Sequence, residues 1–206
     1  DVNLKKARLN ILKKYKRFSF TKGNLENRRI LNKSILNFKP NIIIHLAAQA
    51  GVRYSLENPR AYINSNIIGT FNIMEVAKKQ RVKHLLMAST SSVYGGNTKT
   101  PFRENDASNF PMSFYSATKK STENFSHYYS HLFGIPTTCF RFFTVYGPWG
   151  RPDMALFKFT EKILKEEPID VFNHGKMSRD FTYIDDIVES IVRLFEVIPL
   201  IPANRV

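Results

Sequence analysis

The apolar positions of this chain follow two different rhythms, and the change between them outlines its elements. Over residues 2–16, Leu4, Ala7, Leu9, Ile11 and Leu12 form a broad stripe among lysines, which predicts an amphipathic helix. Residues 18–21 predict a short strand, stopped by Gly23. Ile30, Leu31, Ile35 and Leu36 keep helical spacing over 27–38, and Pro40 ends that helix. Residues 41–46 are a continuous run of apolar, β-branched character, as in a strand buried on both faces of a parallel sheet. A long helix follows over 59–79, with Asn66 and Gly69 as unusual interior residues. A strand over 82–89, a helix over 113–133 and a strand over 136–143 complete the regular part, which breaks at Gly147-Pro148.

Strands that alternate with helices indicate an α/β chain with a doubly wound parallel sheet. Ligands of such sheets lie beyond the carboxyl ends of the strands. The loop over 47–55, the hydroxyl cluster over 89–92 and the loop over 144–149 all fall at such ends. After residue 150 the rhythm changes to a helix over 154–167, a short strand over 169–172, a polar loop and a helix over 184–196. The expected organisation is therefore a sheet domain over 1–150 and the beginning of a smaller lobe over 151–206.

Composition narrows the class. Of the 206 residues, 43% are hydrophobic and 13% aromatic, the balance of a globular chain. No apolar run approaches the length of a membrane span. The start lacks an apolar signal core, and the single cysteine, Cys139, fits a reducing compartment, so a cytoplasmic protein is expected. The net charge of +14 raises the question of nucleic acid. The lysines are spread along helices, as at Lys5-Lys6 and Lys78-Lys79, with no dense basic arm or nucleic-acid motif. A solvated basic surface that attracts an anionic small molecule is the preferred reading, and no metal site is expected.

The candidate chemistry lies between residues 87 and 119. An apolar strand ends in Ser89, Thr90, Ser91 and Ser92, and Tyr115 and Lys119 follow at the start of a helix. Positions i and i+4 share a helix face, with Cβ atoms about 5–6 Å apart. An ammonium near a phenol favours the phenolate, and such a tyrosine can take a proton from a sugar hydroxyl. An isolated Tyr-x-x-x-Lys is most often a core aromatic and a solvated lysine. The order of strand, hydroxyl cluster, Val93-Tyr94-Gly95 and then the pair gives it weight.

That constellation resembles the extended short-chain dehydrogenase/reductases, and among them the bacterial UDP-glucuronate 4-epimerases. The resemblance implies a Rossmann-like fold, NAD as cofactor and a UDP-sugar as substrate. It makes Tyr115 the catalytic base, Lys119 the lysine that also holds the nicotinamide ribose, and Thr90 the third member. It places Leu46, Ala47, Ala48 and Gln49 along the cofactor. Asn66, in Asn-Ile-Ile-Gly-Thr, matches an asparagine that orders the active-site helix. Asn24 and Leu25 fall where the family has Gly-Asp-Leu, and Asn24 departs from it by carrying no charge. Arg53 and Arg151 are typical of the glucuronate branch, and Arg179 matches an arginine that pairs with the nucleotide diphosphate. Thr144, with Ser91 and Ser92, would offer hydroxyls to a sugar carboxylate. Ser91 and Ser92 stand where related dehydratases and decarboxylases carry acidic residues, which disfavours both of those reactions. The helices over 59–79 and 113–133 are apolar enough to join two copies.

The chain has no Gly-x-x-Gly-x-x-Gly turn to meet a pyrophosphate. On the resemblance it begins about where the second strand of the pattern has ended, so the sheet is expected to lack its first strands and that turn. Three readings follow: an epimerase acting on UDP-glucuronate, a UDP-glucose or UDP-N-acetylhexosamine 4-epimerase with the same machinery, and an inactive truncated remnant that cannot bind NAD.

Overall fold

The computed structural model describes residues 2–201. Its contacts divide the chain into two units, residues 1–20 with 143–192 and residues 21–142 with 193–206.

The second unit is built on a three-stranded parallel sheet, β1 (Ile42–His45), β2 (His84–Thr90) and β3 (Thr137–Phe142), in the order β1-β2-β3. Ile42 lies opposite His84, and Leu85 opposite Thr137. Central β2 carries the buried run, with Leu85 and Leu86 wholly inaccessible. The run in β1 is buried less than its sequence predicts: Ile44 is 41% exposed, because β1 has one neighbouring strand among the described residues.

Helix α2 (Arg28–Phe38) starts at Asn27, whose side chain accepts from the Ile30 amide. The predicted long helix is composite. Short helical turns α3 (Tyr54–Glu57) and α4 (Pro59–Tyr62) lead into a π-helical segment, Ile63–Ile68, and then α5 (Gly69–Gln80). Helix α6 (Phe114–Phe133) opens on a reciprocal cap between Ser113 and Ser116 and closes on left-handed Gly134. The core packs α5 and α6 on β2: Ile73, Met74 and Ala77 meet Leu85, Met87 and Tyr129, with Leu25, Ile43 and Cys139 at the margin.

The first unit holds α1 (Val2–Leu12), β4 (Thr144–Tyr146), α7 (Ala155–Leu164), β5 (Phe181–Tyr183) and α8 (Ile184–Arg193). Strands β4 and β5 form a second parallel pair, with Thr144 opposite Phe181. The predicted strands over 18–21 and 169–172 are not strands. A strand needs a partner for its ladder, and neither segment pairs with another among the described residues. No helix among the described residues is long and apolar enough to cross a membrane.

One glycine bears directly on the hydroxyl cluster. A 3-10 turn over Ser91–Tyr94 ends at Gly95, whose φ is 59°. A Cβ there would stand 2.0 Å from the Phe110 carbonyl oxygen, whereas one on Gly96 would meet nothing closer than the Met112 sulfur at 3.7 Å. Gly95→Ala is therefore expected to cost more than about 1 kcal/mol in urea unfolding, and Gly96→Ala much less.

Candidate active site

Strand β2 and helix α6 carry the candidate catalytic residues. Thr90 ends β2 and is 8% exposed. Its hydroxyl accepts from the Ser92 amide at 3.2 Å and donates to the Ser92 hydroxyl at 3.3 Å, so the turn that follows is pinned to the strand end. Tyr115 and Lys119 occupy the first two turns of α6. The Tyr115 ring stands edge-on to Tyr62, with centroids 6.1 Å apart. Tyr62 is fully buried and donates to the backbone carbonyls of Ala50 and Gly51.

Lys119 is 3% exposed. Burial lowers its pKa from 10.5 to about 8, opposed by Cys139 when ionised and by Glu123. A buried ammonium one helical turn from a phenol has the charge and the donors to suit the ribose hydroxyls of a nicotinamide nucleotide. It is the chemical match to NAD that this chain's own residues make.

Asn66 joins the loop after β1 to α6. It lies in the π-helical segment and is wholly inaccessible. Its carbonyl oxygen accepts from the Gln49 amide at 2.7 Å, and its amide nitrogen donates to the Gln49 carbonyl at 3.1 Å and the Thr118 hydroxyl at 3.0 Å. The Thr118 hydroxyl donates in turn to the Tyr115 carbonyl at 2.8 Å. Both amide hydrogens of Asn66 are thus spent on positioning the helix and loop. Ala47 and Leu46 are exposed beside that loop, with Ala48 and Gln49 half-buried. His45 is a packed strand residue: its ring nitrogen is 2.9 Å from the Thr70 hydroxyl, and burial, then the charge of Lys119, lowers its pKa to about 4.

The other candidates divide. Ser91 and Ser92 sit half-buried in the turn after Thr90. Arg53 caps α3, exposed. Asn24 is exposed in a turn, while Leu25 packs on the core and gives its carbonyl to Asn72 at 2.9 Å. Thr144, Arg151 and Arg179 belong to the first unit. The β4–β5 pairing brings Thr144 beside the Arg179 segment, because the Thr144 amide donates to the Asp180 carbonyl. The exposed guanidinium of Arg151 is held on two edges by Asp153, whose carboxyl this contact keeps below the ordinary range. From α1, Arg8 holds the Trp149 and Gly150 carbonyls of the same loop.

A polar hub was not foreseen. Glu123 accepts from Ser89 at 2.6 Å and from two nitrogens of Arg141 at 3.0 Å each. An arginine within the apolar run of β3, and a carboxylate four residues beyond Lys119, were the signals available in the sequence.

Replacing Asn66 with alanine would leave the Gln49 amide, the Gln49 carbonyl and the Thr118 hydroxyl without their partner. The expected loss in urea unfolding is about 3 kcal/mol. The folded state holds His45 neutral, whereas the unfolded chain protonates it below about pH 6.5. Stability is accordingly expected to fall as pH drops from 6.5 towards 4, by up to about 3 kcal/mol. That slope should flatten in His45→Gln.

Residues 3–204 match the family model described as "NAD dependent epimerase/dehydratase family". The chain is 57% identical over 199 residues to a probable UDP-glucuronate 4-epimerase of Rhizobium meliloti (strain 1021), covering 97% of this chain and 58% of that protein. It is similar to the solved UDP-glucuronic acid 4-epimerase of Bacillus cereus in complex with UDP-glucuronic acid and NAD, at TM-score 0.89 and 34% identity, covering 100% of this chain and 64% of that one. It is also similar to the UDP-glucose 4-epimerase of Thermotoga maritima with UDP-glucose, at TM-score 0.84 and 30% identity, covering 88% and 60%. The chain thus spans less than two thirds of the length of each. With the family model matched from residue 3 to residue 204, the chain belongs to the NAD dependent epimerase/dehydratase family.

Proposed function

We propose that this chain carries the proton-transfer centre of an NAD-dependent nucleotide-sugar 4-epimerase that interconverts UDP-glucuronate and UDP-galacturonate. The observation that carries the reading is the buried ammonium of Lys119, one helical turn from Tyr115 on the same helix. The identity to a relative named for UDP-glucuronate, 57%, supports the substrate.

The Tyr115 oxygen takes the proton of the hydroxyl on carbon 4 while the hydride on that carbon leaves to the cofactor, and together the two losses give a 4-keto sugar. The charge of Lys119 stabilises the negative oxygen that Tyr115 presents, and the Thr90 hydroxyl bonds the same substrate oxygen. NAD, when bound, would accept that hydride and, once the 4-keto sugar has turned over, return it to the other face. Tyr115 then returns its proton to the oxygen on carbon 4, so no net oxidation remains. Lys119 also holds the nicotinamide ribose. The small side chains of Ala47 and Ala48 allow the ring to lie against the backbone, flanked by Leu46 and Gln49, and Asn24 and Leu25 stand near the adenine end. Ser91, Ser92 and Thr144 give neutral hydroxyls to the sugar carboxylate, Arg53 and Arg151 neutralise it, and Arg179 takes the diphosphate. Neutral hydroxyls hold the carboxylate of the β-keto acid out of the geometry that favours loss of carbon dioxide, so the hydride returns instead. Residues 1–150 serve the cofactor and 151–206 the sugar nucleotide. The last of these, 202–206, lie outside the described residues. Two copies join through the helices over 59–79 and 113–133, and the protein works in the cytoplasm.

A UDP-glucose 4-epimerase is the second reading, favoured by the 30% identity to the Thermotoga maritima enzyme. Chromatography of the UDP-sugars after incubation with NAD separates the two. We expect UDP-galacturonate from UDP-glucuronate, and about 10²–10⁴-fold slower conversion by Tyr115→Phe. The rate is expected to fall as pH rises through about 8, where Lys119 loses its charge. A higher kcat/KM for UDP-glucose would favour the second reading. Absence of NAD binding in calorimetry would overturn both.

A further inference from the structure

Helix α6 carries a third polar residue on the face of Tyr115 and Lys119. Glu123 lies four residues beyond Lys119, and its carboxylate is the meeting point of three elements. From β2, the Ser89 hydroxyl donates to Oε1 at 2.6 Å. From β3, Arg141 donates through Nε to Oε1 and through Nη2 to Oε2, both at 3.0 Å. From α6 itself, the Lys120 ammonium is 3.3 Å from Oε2. Arg141 extends the hub: its Nη1 donates to the Glu104 carbonyl at 3.0 Å, and its guanidinium lies over the Tyr94 ring at 4.8 Å. The hub thus grips the strand residue before Thr90, the turn that follows it and the loop that leads into α6.

We propose that Glu123 is a positioning residue for the Tyr115–Lys119 pair: through Ser89 and Arg141 it fixes the strand end that presents Thr90, and one turn beyond Lys119 it holds a fixed carboxylate on the same helix. The inference rests on the reading of Tyr115 and Lys119 as the proton-transfer pair.

The groups facing Lys119 single out Glu123. Lys119 interacts with Glu123 on α6, Cys139 on β3 and His45 on β1, and the cations of Arg141 on β3 and Lys120 on α6 bond the Glu123 carboxylate. Burial holds the Cys139 thiol well above its ordinary value, so it is uncharged near neutrality. His45 titrates at about 4 and is likewise neutral. Burial raises the Glu123 carboxyl, but the bonds from Arg141 and Ser89 outweigh it and keep the group ionised. Glu123 is then the carboxylate that offsets the burial of Lys119. A guanidinium forked onto one carboxylate is a rigid arrangement, so the charge is held at a fixed place relative to the ammonium.

The test is the titration of Lys119 in the purified chain labelled with [ε-¹³C]lysine, its resonance assigned by its disappearance in Lys119→Arg. The natural chain should show a midpoint near pH 8. In Glu123→Gln it should lie about one pH unit lower, and in Glu123→Asp it should return most of the way. Removing the carboxylate alone leaves Arg141 charged and unpaired, which can prevent folding. The double variant Glu123→Gln with Arg141→Gln leaves neither charge stranded, and its midpoint should lie about one pH unit below that of Arg141→Gln alone. A hub that only stabilises the fold would lower the unfolding midpoint and leave the Lys119 titration in place. That result, in a folded Glu123→Gln or in the double variant, overturns the proposal. The titration needs neither cofactor nor substrate. A chain that fails to bind NAD therefore overturns the epimerase reading and still decides this one.

Discussion

A single buried carboxamide connects the two halves of the site. Asn66 makes three hydrogen bonds, two to the backbone of Gln49 and one to Thr118, and is fully enclosed. Thr118 lies between Tyr115 and Lys119, so the same side chain sets the loop after β1 and the rotation of α6. A regular α-helix over 59–80 would carry the residues after the irregularity on a different phase. The π-helical turn over Ile63–Ile68 changes that phase locally and is the reason Asn66 faces inward. Such turns cost hydrogen-bond geometry, and here the three bonds of Asn66 offset that cost.

The electrostatics depend on the same packing. An ammonium buried to 3% exposure is expensive to keep charged, and Lys119 is held at about 8 rather than 10.5 as a result. The surroundings divide the labour between neutral and charged groups. His45 and Cys139 are driven to their neutral forms by burial, and Glu123 stays ionised because Arg141 and Ser89 bond it. A lysine that keeps its charge at neutrality but holds it weakly is suited to orient a hydroxyl pair while favouring negative charge on the neighbouring phenol.

The first unit is organised by other contacts. The parallel pairing of β4 with β5 sets Thr144 beside the segment of Arg179, and Arg8 of α1 holds the loop that carries Arg151. Arg151 spends its guanidinium on Asp153. A ligand carboxylate reaching that arginine would have to compete with a neighbouring one, which ties affinity there to the strength of an exposed ion pair. Exposed pairs of this kind are weak, so the competition is one a ligand can win.

The sequence by itself determined the local elements. Helical spacing marked α2, and apolar runs marked β1 and β2, because hydrophobic period acts over a few residues. It also carried the Tyr115–Lys119 pair, whose relation is fixed within one helix. It misread residues 18–21 and 169–172 as strands and missed β4 and β5, because strand pairing joins residues far apart in the chain. The same reason hid the hub. Ser89, Glu123 and Arg141 are separated by up to 52 positions and meet only when β2, β3 and α6 pack. The π-helical turn that aims Asn66 likewise has no local signature, since it depends on what the side chain finds when the chain closes around it. Chemistry confined to one element could be read from the order of residues, while chemistry shared between elements was decided by the burial that brought them together.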